Sequence, residues 1–206
     1  MKNILIFGPS RAGKTSLAKR LKDEFQLNVI NEDSLITAFE RASPQLEING
    51  SENYTQTAIN VTPFIVHYFC DLAQHANYKT GSKFVADATF FTFDTGIPLM
   101  KETLQKFCGL KLLDEFIFII LYNNKTSKEL FNDIRKYDTP EDWTYSLSDD
   151  ELRKHCDENV GDNQAFYEKW GKELEFLSYD VAEGREQVFD KIAEDLKRLL
   201  ISCANC

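Results

Sequence analysis

Gly8-Pro9-Ser10-Arg11-Ala12-Gly13-Lys14-Thr15 sets two glycines five residues apart and follows the second at once with a lysine and a hydroxyl. Glycines at those positions let successive backbone amides curl into a concave nest, and a helix beginning just after it adds the positive end of its dipole. Such a nest selects a highly charged oxyanion. In the pattern G-x-x-x-x-G-K-[ST], the lysine reaches the β- and γ-phosphates of a nucleoside triphosphate and the hydroxyl ligates magnesium. Gly8, Pro9, Ser10, Arg11, Ala12, Gly13, Lys14, Thr15 and Ser16 are therefore the expected nucleotide contacts, with ATP and Mg2+ as the expected small molecules and Lys14 also a catalytic group.

The flanking residues supply the context this motif needs. Asn3 to Phe7 is a short apolar run ending at Gly8, and Lys14 to Phe25 carries Leu17, Ala18, Leu21 and Phe25 on one helical stripe. Further along, short apolar runs at Leu27 to Ile30, Lys83 to Ala86, Phe116 to Tyr122 and Phe176 to Tyr179 predict four more strands. Helical patterns fall between them, over Ser34 to Ala42, Thr57 to Asn77, Ile97 to Phe107, Ser127 to Tyr137, a stretch from Ser148 to about Val160, and Gln187 to Leu200. The helix from Thr57 is apolar on most sides and is expected to be deeply packed, with His67 a core or boundary group on it. Strands alternating with helices predict an α/β protein: a three-layer, doubly wound, parallel five-stranded sheet in one domain over residues 1–206. Residues 123–162 read as a helical, lid-like insertion within it.

In open α/β sheets ligands bind beyond the carboxyl ends of the strands, so charged residues there are site candidates. Asp87 follows the third strand and is expected to hold magnesium; its competing role is to start a helix. Asp33 follows the second strand and competes for the N-cap of the helix from Ser34.

With the loop, the strand-end carboxylates and this element order, the chain resembles the P-loop kinases, the group of nucleoside monophosphate, shikimate and gluconate kinases and chloramphenicol phosphotransferase. The resemblance implies transfer of the γ-phosphoryl group of Mg-ATP to a small molecule. In that family a lid after the fourth strand carries arginines, and Arg135 and Arg153 match in placement. The monophosphate kinases also have an arginine three residues past the second-strand Asp, and a Gly-aromatic-Pro-Arg run after the third-strand Asp. Here those stretches read Asp33-Ser34-Leu35-Ile36 and Asp87-Ala88-Thr89-Phe90, with Arg41 as the nearby substitute. Asp33-Ser34-Leu35-Ile36 looks instead like the chloramphenicol phosphotransferase segment whose Asp acts as base toward a hydroxyl. The resemblance thus implies a hydroxyl acceptor, with Asp33 and Arg41 as contacts and Phe90, Phe91 and Phe93 as an apolar wall or plain core. A nucleoside monophosphate kinase and a P-loop ATPase or regulator that transfers nothing stay open as alternatives. The lid-like segment departs from the family in being acidic: Glu141, Asp142, Asp149, Asp150, Glu151, Asp157 and Glu158 stand against Arg153 and Lys154. Such carboxylates repel a triphosphate unless they face solvent.

Composition narrows the partners. A net charge of −9 disfavours a nucleic-acid partner, which calls for clustered Lys and Arg. No run approaches the roughly 18 apolar residues of a membrane span, and Met1 to Phe7 leads into a strand rather than a signal sequence. Five scattered cysteines fit free thiols in a reducing cytoplasm. The expected partners are a nucleotide and a small acceptor, with oligomeric state open. A guanine-specific switch lacks its signature, since Asn124-Lys125-Thr126-Ser127 has the Asn-Lys pair without the Asp.

Overall fold

A computed structural model describes residues 1–8, 11–43, 54–78, 83–88, 93–140, 143–157 and 176–204. Its strands are β1 (Asn3–Phe7), β2 (Asn28–Asn31), β3 (Phe84–Asp87), β4 (Phe116–Tyr122) and β5 (Leu177–Asp180). They form one five-stranded sheet in the order β2-β3-β1-β4-β5, with β2/β3, β1/β3 and β4/β5 parallel. The helices are α1 (Lys14–Phe25), α2 (Glu32–Ala42), α3 (Tyr54–Tyr78), α4 (Phe93–Thr103), α5 (Leu112–Glu115), α6 (Ser127–Tyr137), α7 (149–157) and α8 (Arg185–Ala204). Sequence order runs to one side of β1 for β2 and β3 and to the other for β4 and β5, which is the doubly wound α/β class that the alternation predicts. Among the described residues no helix is long and apolar enough to cross a membrane.

The chain divides into two compact units, Met1–Phe7 with Thr15–Phe118, and Gly8–Lys14 with Ile119–Cys206. In the first, β1 and β3 are buried along their whole lengths while β2, the edge strand, is only partly covered. Phe69, Phe84, Phe116, Phe118 and Phe7 make a chain of ring contacts with centroids 5.6 to 6.5 Å apart, the separation at which aromatic pairs attract beyond their buried area. Asn3, fully buried, is satisfied from both sides: its amide donates to Glu115 O and accepts from Phe84 N. α1 stops at Gln26, which takes the left-handed conformation (φ 55) and lets Leu27 N donate back to Lys22 O.

The structure corrects three expectations from the sequence. α2 starts at Glu32, two residues early, because Asn31 rather than Asp33 is its cap and accepts from Ser34 N at 2.8 Å. Asp33 instead lies in the first turn, where the helix dipole favours a carboxylate. α3 is not packed all round: Val61, Ile65, Val66, Phe69 and Ala73 are buried, whereas Pro63, Phe64, His67 and Asp71 are exposed, so His67 stands on a solvent face. Aromatic residues on both faces conceal this stripe in the sequence. α4 begins at Phe93, earlier than Ile97, and runs into a π turn over Leu104–Cys108 that ends at Gly109 in the left-handed region.

In the second unit β4 and β5 pair from Ile119↔Leu177 to Tyr122↔Asp180. α8 buries Val188, Phe189, Ile192, Ala193 and Leu196 on one face, and Tyr179 reaches from β5 to donate to Asp195 on that helix at 2.9 Å. Burial, followed by that hydrogen bond, pushes the Tyr179 phenol far above its ordinary pKa. α6 and α7 each open on a capping box, Thr126 with Glu129 and Ser148 with Glu151. Hydrogen bonds from those caps hold both carboxyls below the usual range, so their stabilising share is present at neutral pH and lost as pH falls through the lowered values. Between the two helices Leu130, Ile134, Leu152 and Cys156 close a small apolar cluster, with Phe131 and Leu147 packed against it. Leu152→Ala, emptying the centre of this cluster, is expected to destabilise the unit by about 2–5 kcal/mol, read from the urea midpoint, with Lys154→Ala on the exposed face of α7 as the near-neutral control.

Candidate active site

The loop leaving β1 is shaped by what a side chain would strike. A Cβ on Gly8, at φ 147, would lie 2.2 Å from the Leu121 carbonyl oxygen, so only glycine lets β4 come that close. Gly13, at φ 91, faces Arg185 Nε and Phe189 Cζ on α8, each 3.1 Å from where a Cβ would sit. Between them Arg11 also holds a positive φ of 66, a conformation that costs a non-glycine residue about 1–2 kcal/mol. Ala12 is buried, and Lys14, only 6% exposed, turns back across the loop so that Nζ donates to Gly8 O at 3.0 Å. The ammonium thereby spans the loop from its last residue to its first. Pro9 and Ser10 lie outside the described residues, and Ser16 is exposed on the first turn of α1.

In the first unit the Thr15 hydroxyl donates to Asp87 Oδ2. The strand register explains the meeting: Asp87 is the last residue of β3, level with Ile6 on one side and Asn31 on the other, and Ala88 N continues the ladder to Ile6 O. Asp87 is 5% exposed. Magnesium is usually held by one or two carboxylates together with phosphate oxygens and water, and this hard oxygen pair fits it. Thr15 and Asp87 are the residues that would hold the ion.

One face of α2 borders a cavity of about 370 Å³ lined by Asp33, Ser34, Thr37, Ala38 and Arg41. The structure therefore brings Asp33 and Arg41 to one concavity, with hydroxyls between them. Its described lining is mostly polar; Phe90 and Phe91, expected as an apolar wall, lie outside the described residues, and Phe93 opens α4. Sequence reasoning passed over Glu32. It is 1% exposed at the head of α2, and its neighbour Asp33 is exposed. A carboxylate placed directly after a strand-end Asn cap was the available signal.

Arg135 and Arg153 come together over a single ring: their guanidinium carbons lie 5.8 and 4.6 Å from the Phe131 centroid. Arg135 also donates to Asp149 Oδ1 from Nε and Nη2 at 3.1 and 2.9 Å, and to Leu147 O at 2.7 Å. With Asp149 65% exposed, this ion pair is worth no more than about 1 kcal/mol and can be exchanged for a stronger anion. The acidic residues of this segment that are described, Asp149, Asp150, Glu151 and Asp157, are all exposed. Their charge is turned to solvent.

A glycine loop between β1 and α1 and the 2-3-1-4-5 strand order give this chain the fold of the P-loop kinases. Shikimate kinase from Bacteroides thetaiotaomicron is similar over 97% of this chain and 98% of its own, with TM-score 0.58 and 15% identity. Deoxyadenosine kinase from M. mycoides is similar over 96% of this chain and 100% of its own (TM-score 0.52, 14% identity), and a gluconokinase from Sinorhizobium meliloti over 96% and 97% (TM-score 0.52, 14% identity). At these identities the likeness is one of fold. No family model and no curated protein matches the chain.

The two glycines should respond unequally to substitution. Gly8→Ala drives a Cβ into backbone that cannot yield and is expected to lower the melting temperature sharply, whereas Gly13→Ala meets side-chain tips that can shift and should cost less. Thermal melts of the two variants side by side check the order.

Proposed function

We propose that the chain is a small-molecule kinase that moves the γ-phosphoryl group of Mg-ATP to a hydroxyl, with Asp33 as the base. The observation carrying this reading is the loop whose lysine closes back on its first residue, Lys14 Nζ on Gly8 O, with the next residue, Thr15, bonded to the strand-end Asp87. A polyphosphate seated in such a loop replaces Gly8 O as the acceptor of the Lys14 hydrogen bond. Mg2+, when bound, supplies charge neutralisation at the β- and γ-oxygens.

An alcohol must lose its proton as its oxygen bonds to phosphorus, while the bond from phosphorus to the bridging oxygen breaks and ADP leaves. Asp33, exposed on the polar cavity of α2, is reachable by a small acceptor. Arg41, two turns along the same face, suits an anionic group on that acceptor. The structural neighbours are, by name, kinases of shikimate, gluconate and deoxyadenosine, acceptors that offer hydroxyls and carry no phosphate. Arg135 and Arg153 are the candidates to meet charge developing on the equatorial oxygens, Arg135 exchanging Asp149 for the phosphoryl group.

ADP release in the presence of alcohols, hydroxy acids and nucleoside monophosphates, compared with the rate in water, tests the reading. Stimulation by a hydroxyl compound is expected; stimulation by monophosphates alone makes the chain a monophosphate kinase, and none at all makes it an ATPase or regulator. Lys14→Ala is expected to abolish the thermal shift given by Mg-ATP, a stabilisation of about 2.7 kcal/mol at a hundredfold excess over Kd. Asp33→Asn should cut transfer far more than ATP binding. Should Glu32→Gln do so instead, the base is the buried carboxylate next to it.

A further inference from the structure

Two local rules are broken in the second unit, and both breaches serve one contact. Arg11 occupies a left-handed backbone conformation that glycine adopts without strain. Asp138 sits at the C-cap of α6, the end at which the helix dipole disfavours a carboxylate, and its side chain is 3% exposed. Yet Arg11 Nη2 lies 2.9 Å from Asp138 Oδ1 and donates to Thr144 Oγ1, which donates in turn to Asp138 Oδ2 at 2.5 Å. Thr144 is fully buried in the Trp143–Ser146 turn, and Asp138 N donates to Ile134 O at 2.8 Å. On the loop side Arg185 Nη2 donates to the Arg11 carbonyl at 3.2 Å, so this residue is gripped at its backbone and at its tip. Residues held against their local preferences, with the strain tied to one tertiary contact, mark a functional constraint.

We propose that Arg11 is a positioning residue: through Asp138 and Thr144 it ties the glycine loop to the C-terminal end of α6, so that a polyphosphate on the loop steadies that end of the helix. Arg135 lies one turn before Asp138 on α6, so the tie also sets where that arginine stands. This rests on the loop being a nucleotide site. Glycine at position 11 would relax the backbone and keep the nest of amides while cutting the tie, which separates the two roles.

The test is hydrogen exchange of the α6 amides with and without Mg-ADP, on the full chain and on Arg11→Gly and Asp138→Asn. In the unmodified protein Mg-ADP is expected to slow exchange at Ile134 to Asp138 about tenfold, and in both variants less than about twofold with Kd for Mg-ADP within about threefold. Turnover should fall in both while KM for ATP holds, the signature of a misplaced group rather than lost binding. Arg11→Lys, which keeps the charge on a shorter side chain, is expected to fall between, and it decides the matter if the glycine variant does not fold. Full slowing in Arg11→Gly or in Asp138→Asn overturns the tie while leaving the nucleotide reading intact. Loss of Mg-ADP binding together with the slowing makes Arg11 a ligand and overturns it too. No Mg-ADP binding by the unmodified protein overturns both readings.

Discussion

Between the end of β1 and the start of α1 the chain turns from a buried strand into a helix with little room to do so. The constraint is steric before it is electrostatic: the Leu121 carbonyl lies where a side chain on Gly8 would be, and α8 presses the same way on Gly13. Among the described loop residues, Gly8, Arg11 and Gly13 take positive φ. The same path brings Lys14 back to Gly8 O, so the geometry that avoids collision also sets a positive charge across the loop.

A chain with a net charge of −9 has to control where its carboxylates go. The carboxylates of the segment after α6 do so by exposure: those described point to water, where screening weakens them. Asp138 is the exception, buried and neutralised within the chain by Arg11. Meanwhile Arg135, half-buried, and Arg153, exposed, both set their guanidinium groups against the ring of Phe131. The helices carrying them are fixed by a few apolar residues and two capping boxes.

A single cap alters the reading of α2. Because Asn31 meets the amide of Ser34, Asp33 is spared that task and turns with Ser34, Thr37 and Arg41 to a polar cavity. That face of the helix alternates hydroxyl and charge. Glu32, buried beside it, shows how one residue of helix phase separates a sequestered carboxylate from an accessible one.

Much of this was legible in the linear chain, wherever the determining interactions are local. The G-x-x-x-x-G-K-T spacing and the bounds of β4 and α6 each depend on residues within a turn or two of one another. The doubly wound class follows from alternation, since parallel strands need helical crossovers, whereas the strand order came from the structure. What the sequence left open was which face of a helix meets protein and which meets solvent. The exposed side of α3, the outward turn of the acidic residues, the choice of Asn31 over Asp33 as cap and the reach of Arg11 to Asp138, far along the chain, were settled only by tertiary contact. The reason is physical: spacing fixes backbone shape through nearby sterics and hydrogen bonds, while burial and ion pairing depend on elements that folding alone brings together.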